Sequence, residues 1–184
     1  MPHYVAFLRG INLGYRRVKM DDLRRLFAQL KFSNVVTFIA SGNVLFETAA
    51  SDDTMLATQI ERHLAKSLGY EVETFVRTRA EVAAIVAHSP FPQKEMTEAA
   101  NTIHVGFLRA PPDAATVRGL AAVRTGVDEF AIAGREFYWL CRIRTPDSKV
   151  WASPQLTALR PPRATMRNLK MLRRLAAQFP APAG

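Results

Sequence analysis

HYVAFLRGINLGYRRVKMDDLRRLFAQL, residues 3–30, reads as strand, turn and helix in immediate succession. His3–Arg9 is rich in β-branched and aromatic residues and stops at Gly10, as a strand entering a turn does. Gly10–Lys19 carries the turn formers Asn12 and Gly14. From Met20 the period changes. Leu23, Leu26, Phe27 and Leu30 recur at helical spacing and form one apolar stripe, and Asp21 and Asp22 occupy the first turn, where carboxylates favour the helix dipole. Residues 20–30 are therefore predicted to be a helix.

Outward from this stretch the same alternation continues. Val35–Ala40 and Val44–Phe46 read as two short strands around a tight hairpin at Ser41–Gly42–Asn43. Ser51 or Asp52 caps a second helix, which Gly69 stops near Leu68. Glu71–Val76 alternates like a strand with one face in water. The order β-α-β-β-α-β is the ferredoxin-like, split βαβ plan.

Beyond it, Arg79–His88 reads as a helix ended by Ser89–Pro90. Residues 91–100 read as a polar linker and Ile103–Leu108 as a strand. A helix follows from Asp113 to about Val123, then a hairpin, Asp128–Ala133 and Glu136–Arg142, around Gly134. A short helix is expected over 149–159, and a terminal one over 165–178, with Thr165 as its cap and Met166, Leu169, Leu172 and Leu175 as its apolar stripe. The expected fold is α+β: a ferredoxin-like subdomain over 1–77, packed with a second small α+β subdomain over 78–184 that ends in a basic helix. The two halves share a β-turn-helix plan, without a strict sequence repeat.

The chain has 184 residues, 48% hydrophobic and 22% charged. That is enough apolar surface to offset the entropy of ordering a core. No apolar run approaches the roughly 20 residues of a membrane span, and residues 1–12 do not resemble a leader. No membrane partner is expected. The single cysteine, Cys141, excludes an internal disulfide and a cysteine metal site. A reducing, cytoplasmic setting follows.

The net charge is +9, and it is segregated. Residues 142–174 carry +8 and residues 9–31 carry +5, leaving the rest of the chain acidic. Segregated positive charge attracts anions, nucleic acid among them. Three polar segments could use that field. Arg9, Asn12 and Lys19 flank or occupy the first turn, where glycines let a backbone approach a ligand. Ser41 and Asn43 supply side-chain donors at the hairpin. Arg163, Thr165, Arg167 and Asn168 open the last predicted helix with forked donors suited to phosphate or carboxylate. A single electropositive surface joining the three segments is the expectation on which the functional reading rests.

Catalytic patterns are sparse. The Gly10–Gly14 turn lacks the GK[ST] ending of a P-loop and is not GxGxxG. There is no GxSxG elbow. His3, His63, His88 and His104 show no metal-ligand spacing, and no metal or other cofactor is implied. Cys141 reads as a buried, inert thiol. Tyr4, Phe7, Phe46, Tyr138 and Trp139 read as core rather than as a base-stacking platform. The leading reading is a module binding an anionic ligand, either nucleic acid or a phosphorylated small molecule. An enzyme acting on a nucleotide or phosphoester, with Arg9, Lys19, Arg163 and Arg167 as clamps, is the second reading. A protein-interaction module using a sheet edge or the basic helix is the third.

Arg9–Gly10–Ile11–Asn12 with Val18–Lys19–Met20, and Ser41–Gly42–Asn43–Val44 with Phe46, resemble the bacterial family called domain of unknown function 1697. Ser89–Pro90–Phe91, Tyr138–Trp139–Leu140, Ser148–Lys149 and Ala164–Thr165 with Arg167–Asn168 extend the resemblance over nearly the whole chain. It implies two α+β subdomains, the first ferredoxin-like, and implies no activity.

Overall fold

β1, His3–Leu8, lies at the centre of a four-stranded antiparallel sheet. β3, Asn43–Glu47, flanks it on one side and β4, Thr74–Thr78, on the other, with β2, Ser33–Thr37, at the edge beyond β3. The order β2-β3-β1-β4, with helix α1 (Met20–Gln29) between β1 and β2 and helix α2 (Asp53–Leu68) between β3 and β4, is the ferredoxin-like arrangement. Alternation along the strands sends Tyr4, Ala6, Leu8, Val44, Phe46 and Val76 to one face. There they pack with Leu23 and Phe27 of α1 and Leu56, Ile60 and Leu64 of α2. The other face, carrying Val5, Phe7, Leu45, Phe75 and Arg77, is buried as well. Asp52 caps α2 by accepting from the Thr54 and Met55 amides, and Gly69, at φ 77°, closes it.

The computed structural model describes residues 1–39 and 42–180. Its described residues divide into two compact units, one formed by residues up to 85 with 175–180, the other by residues 86–174. The boundaries fall within helices α3 (Arg79–Ala87) and α7 (Leu169–Gln178).

The second unit repeats the plan of the first. After the one-turn helix α4 (Gln93–Thr97) come β5 (Thr102–Phe107), α5 (Ala114–Ala122), β6 (Asp128–Ala133) and β7 (Glu136–Cys141). Two single 3₁₀ turns and α6 (Pro154–Leu159) lead to β8 (Thr165–Asn168). The sheet order is β6-β7-β5-β8, the first sheet's order carried over strand for strand. The register agrees too. Val5 faces Arg77 in the first sheet and Val105 faces Arg167 in the second. Leu8 N–H donates to the Gly42 carbonyl at 2.8 Å, and Leu108 N–H to that of Arg135 at 2.9 Å. Arg77 and Arg167 each donate to the carbonyl of the preceding residue, at 2.8 and 2.9 Å. With the strands so matched, a sequence repeat becomes visible: Tyr4–Arg9 is YVAFLR and His104–Arg109, one hundred positions on, is HVGFLR.

Several expectations need correction. Residues 165–168 are a strand, not the first turn of a helix, because they pair with β5 from His104↔Asn168 to Phe107↔Thr165. Thr165 therefore caps nothing. Asn168 sits at the head of α7, its Oδ1 accepting from the Lys170 amide at 2.8 Å. β2 begins earlier than predicted, at Ser33, and ends at Thr37, and β3 begins at Asn43, which therefore belongs to the strand and not to the turn; Ala40 and Ser41, also part of this prediction, lie outside the described residues. β4 begins at Thr74, later than predicted, and is buried through Arg77. The alternating Glu71–Val72–Glu73 that suggested its start is the approach to it. Residues 91–100 contain α4, and the helix expected over 149–159 is divided by Ser153.

Candidate functional site

The loop joining β1 to α1 runs from Arg9 to Lys19, and its shape is set by its own bonds. Gly10 and Gly14 both take positive φ, 70° and 60°. Ile11 turns inward and is buried. Asn12 Oδ1 accepts from the Val18 amide at 2.8 Å, a clasp across the base of the loop. Arg16 N–H bonds back to the Leu13 carbonyl at 3.1 Å, and Arg17 Nη1 donates to the Arg16 carbonyl at 2.9 Å. Each internal bond reduces the ordering cost left for a ligand to meet.

Two other connections reach the same end of the first sheet. β1 and β2 run in parallel, so the 38–42 connection leaves the sheet where the Arg9–Lys19 loop does. The contact is close: a Cβ on Gly42 would stand 2.7 Å from Ile11 Cγ2 and 3.0 Å from Leu8 Cβ. From the α2–β4 connection, Tyr70 donates its hydroxyl to the Ile11 carbonyl at 3.3 Å. Arg16 lies 4.4 Å over the Tyr70 ring. The Arg9 amide bonds to the Glu73 carbonyl at 2.8 Å, and its guanidinium lies 3.5 Å from the Glu73 carboxylate. The RGIN turn and the glycine of the SGN turn thus meet at one end of one sheet.

Charge and exposure at this end are uneven. Arg17 and Lys19 are exposed, and the Arg9 side chain is half exposed. Asp21 and Asp22 at the start of α1 are paired with Arg24 and Arg25, one turn on. Between the cations stand two large apolar side chains in water, Tyr15 at 93% exposure and Leu13 at 69%.

Ser41 lies outside the described residues. Asn43 is fully buried, and its amide donates to the Phe38 carbonyl at 2.9 Å while Phe38 N–H bonds back to the Asn43 carbonyl. It closes the 38–42 connection from inside. Arg163 is exposed in the second unit. Thr165 is buried, and Arg167, 8% exposed, donates to its hydroxyl at 2.9 Å. Burial lowers the Arg167 guanidinium to about 10, since the charged form loses its water. Asn168 borders a recess of about 50 Å³ that Asn101, Lys170 and Arg173 also line.

The second unit holds its own polar cluster. The Asp128 carboxylate, 2% exposed, accepts from Trp139 Nε1 at 2.9 Å, Ser148 Oγ at 2.8 Å and Thr125 Oγ1 at 3.0 Å. It ties the 143–150 segment to the β6–β7 hairpin. His104 stacks on Trp139 and shares a 3.0 Å hydrogen bond with Thr145, and burial depresses its pKa. Cys141 is buried, and that burial pushes its thiol up, away from the reactive thiolate. Among the described residues no three His, Cys, Asp or Glu side chains gather as a metal site, and no helix is long and apolar enough to cross a membrane.

Sequence reasoning nominated Arg9, Asn12 and Lys19 but passed over Leu13, Tyr15 and Tyr70. The available signal was an aromatic and a leucine set among arginines in a segment with no periodicity to bury them.

No curated protein matches the chain. A solved structure, that of the conserved bacterial protein SP0830 from Streptococcus pneumoniae, is similar with a TM-score of 0.74 at 19% identity, over 97% of this chain and 98% of that one. At that identity the likeness concerns the fold. The model of a family described as protein of unknown function, DUF1697, matches residues 1–138, the span that contains the RGIN turn, the SGN turn and the first six strands, so the chain belongs to that family.

Proposed function

We propose that the protein binds an anionic ligand, nucleic acid or a phosphorylated small molecule, at the loop end of its first sheet. The observation that carries this reading is the Arg9–Lys19 loop: exposed cations on a backbone already fixed by the Asn12 clasp and the Ile11 plug. Arg17 and Lys19 supply the charge, with Arg9 at the loop's start held beside Glu73. The Asp21–Arg24 and Asp22–Arg25 pairs quench the two carboxylates that would otherwise oppose an anion beside Lys19. Electrostatic attraction of this kind requires no catalytic group and suits a sequence in which catalytic patterns are sparse. The single cysteine, buried and neutral, fits a reducing cytoplasm, where we place the activity.

Fluorescence anisotropy with labelled oligonucleotides at about 50 mM salt, with inorganic phosphate and ATP as competitors, tests it. Binding should weaken as salt rises, with a log–log slope of roughly 0.7 to 0.9 per phosphate contact. Lys19→Ala and Arg17→Ala should each lower that slope by about one contact. A protein that takes up neither oligonucleotide, nucleotide nor phosphate would remove the proposal.

A further inference from the structure

We infer that the ligand is single-stranded nucleic acid, with an unpaired base stacked on Tyr15 and its phosphates met by Arg17 and Lys19. This rests on the anion-binding reading above and narrows it to one class. The inference starts from Tyr15, whose side chain stands almost wholly in water on a loop whose backbone is clasped by the Asn12–Val18 bond. A phosphate without a base has no use for an aromatic ring. A duplex keeps its base faces covered, so it meets cations but offers the ring nothing to stack on. A single strand offers both, a π-face at each base and a charge at each phosphate. Stacking on exposed aromatics beside basic groups is how such strands are held without sequence readout.

The second unit supplies an internal comparison. Its loop at the equivalent place, Arg109–Asp113, follows Leu108 as the first loop follows Leu8, but has only five residues before α5, against eleven in the first unit. It reads RAPPD, with two prolines and no aromatic, and Asp113 goes directly into capping α5 through the Thr116 amide. The frame therefore does not need the longer loop. The extra length brings Leu13, Tyr15, Arg16 and Arg17, and among these Arg16 is fixed against Tyr70. Leu13, 69% exposed two residues before Tyr15, adds an apolar edge against which a base or sugar can settle.

The experiment uses the full chain and labelled oligothymidylate and oligouridylate of about 15 nucleotides, set against a duplex of the same length, inorganic phosphate, and vesicles of equal parts phosphatidylserine and phosphatidylcholine. Single strands should bind more tightly than the duplex. Tyr15→Ala should weaken them about five- to hundredfold without changing the salt slope. Tyr15→Phe, which keeps the ring, should stay within about twofold. Lys19→Ala should reduce the slope. Because Tyr15 packs against little, its variants will fold, and unchanged tryptophan-monitored melting verifies that. Retained binding in Tyr15→Ala, or equal affinity for duplex and single strand, overturns the inference while leaving anion binding intact. Binding to vesicles with none to oligonucleotides overturns it in favour of a membrane surface. Absence of binding to every probe overturns both.

Discussion

Alanine at position 106 would place a methyl group inside the ring of Phe137. A Cβ built on Gly106 lies 2.1 Å from Cζ and 2.2 and 2.6 Å from the two Cε atoms, so the ring lies flat on the glycine α-carbon. Ordinary carbon contacts need about 3.5–4.0 Å, which leaves the ring to retreat by more than 1 Å. It has little room: Phe137 is buried, with Phe130 at 6.3 Å and Trp151 at 5.8 Å between ring centroids. Overpacking of this kind costs about 1–3 kcal/mol. The first unit shows the remedy. Ala6, the counterpart of Gly106, faces Val44, the counterpart of Phe137. Phe137→Val alone opens a cavity and should cost about 2–3 kcal/mol, below the roughly 3–5 of a full Phe→Ala truncation. The pair G106A with F137V recreates the Ala–Val contact and should be less destabilised than the sum of the singles by about 1–3 kcal/mol. Urea unfolding followed by tryptophan fluorescence measures this directly, since both tryptophans, Trp139 and Trp151, belong to the second unit. A Gly106→Ala protein within about 0.5 kcal/mol of wild type, or strictly additive singles, would refute the reasoning.

Three further outcomes are expected. Gly42→Ala combines a left-handed φ of 78° with a Cβ 2.7 Å from Ile11; it should cost about 2 kcal/mol or more and speed exchange of the Leu8 amide, which bonds to the Gly42 carbonyl. Asp52→Ala removes both cap bonds of α2 and should cost about 1 kcal/mol by thermal melting of the helical circular dichroism, with Asp52→Asn losing less. His104 has a folded pKa below its ordinary value because burial disfavours the imidazolium. The unfolded chain then binds the extra proton, so stability is full above about 6.5 and declines as pH falls through the window beneath it. His104→Gln should abolish that component of the tryptophan-monitored stability profile, whereas His3→Gln should not.

What was legible in the sequence was local. The Leu23–Leu30 stripe, the Asp52 cap and the Gly69 stop each act within one turn of chain, and α1 and α2 stand where these signals put them. The β6–β7 hairpin was equally plain, since Gly134 marks a two-residue turn between Asp128–Ala133 and the aromatic run of Glu136–Cys141. β8 was not, because Met166, Leu169, Leu172 and Leu175 keep helical spacing straight through it. Its strand character comes from hydrogen bonding to β5, sixty residues away, which no local pattern announces. The same limit explains the site. Asn12 and Asn43 were read as donors for a ligand, and Asn12 accepts from Val18 across its own loop while Asn43 donates to Phe38. Which way an asparagine turns depends on neighbours assembled by the fold.

The repeat bears on function because it separates what the fold requires from what has been added to it. Val5 and Val105, and Phe7 and Phe107, are identical because they fill the same inner strand in two sheets of one topology, and Leu8 and Leu108 stand at the equivalent place at its end. Arg77 and Arg167 recur in the same register, each buried and each bonded back to its own strand. Recurrence at both places marks them as parts of the frame. Positions that differ between the units are free of that constraint. The first unit carries Tyr15, Arg17 and Lys19 on an extended, clasped loop, and the second carries Pro111 and Pro112 on a short one. An exposed tyrosine contributes nothing to either sheet, and Tyr15 shares its exposure with Leu13 two residues before it, among cations. Its presence on only one of two matched frames is the strongest physical reason to look for a ligand there.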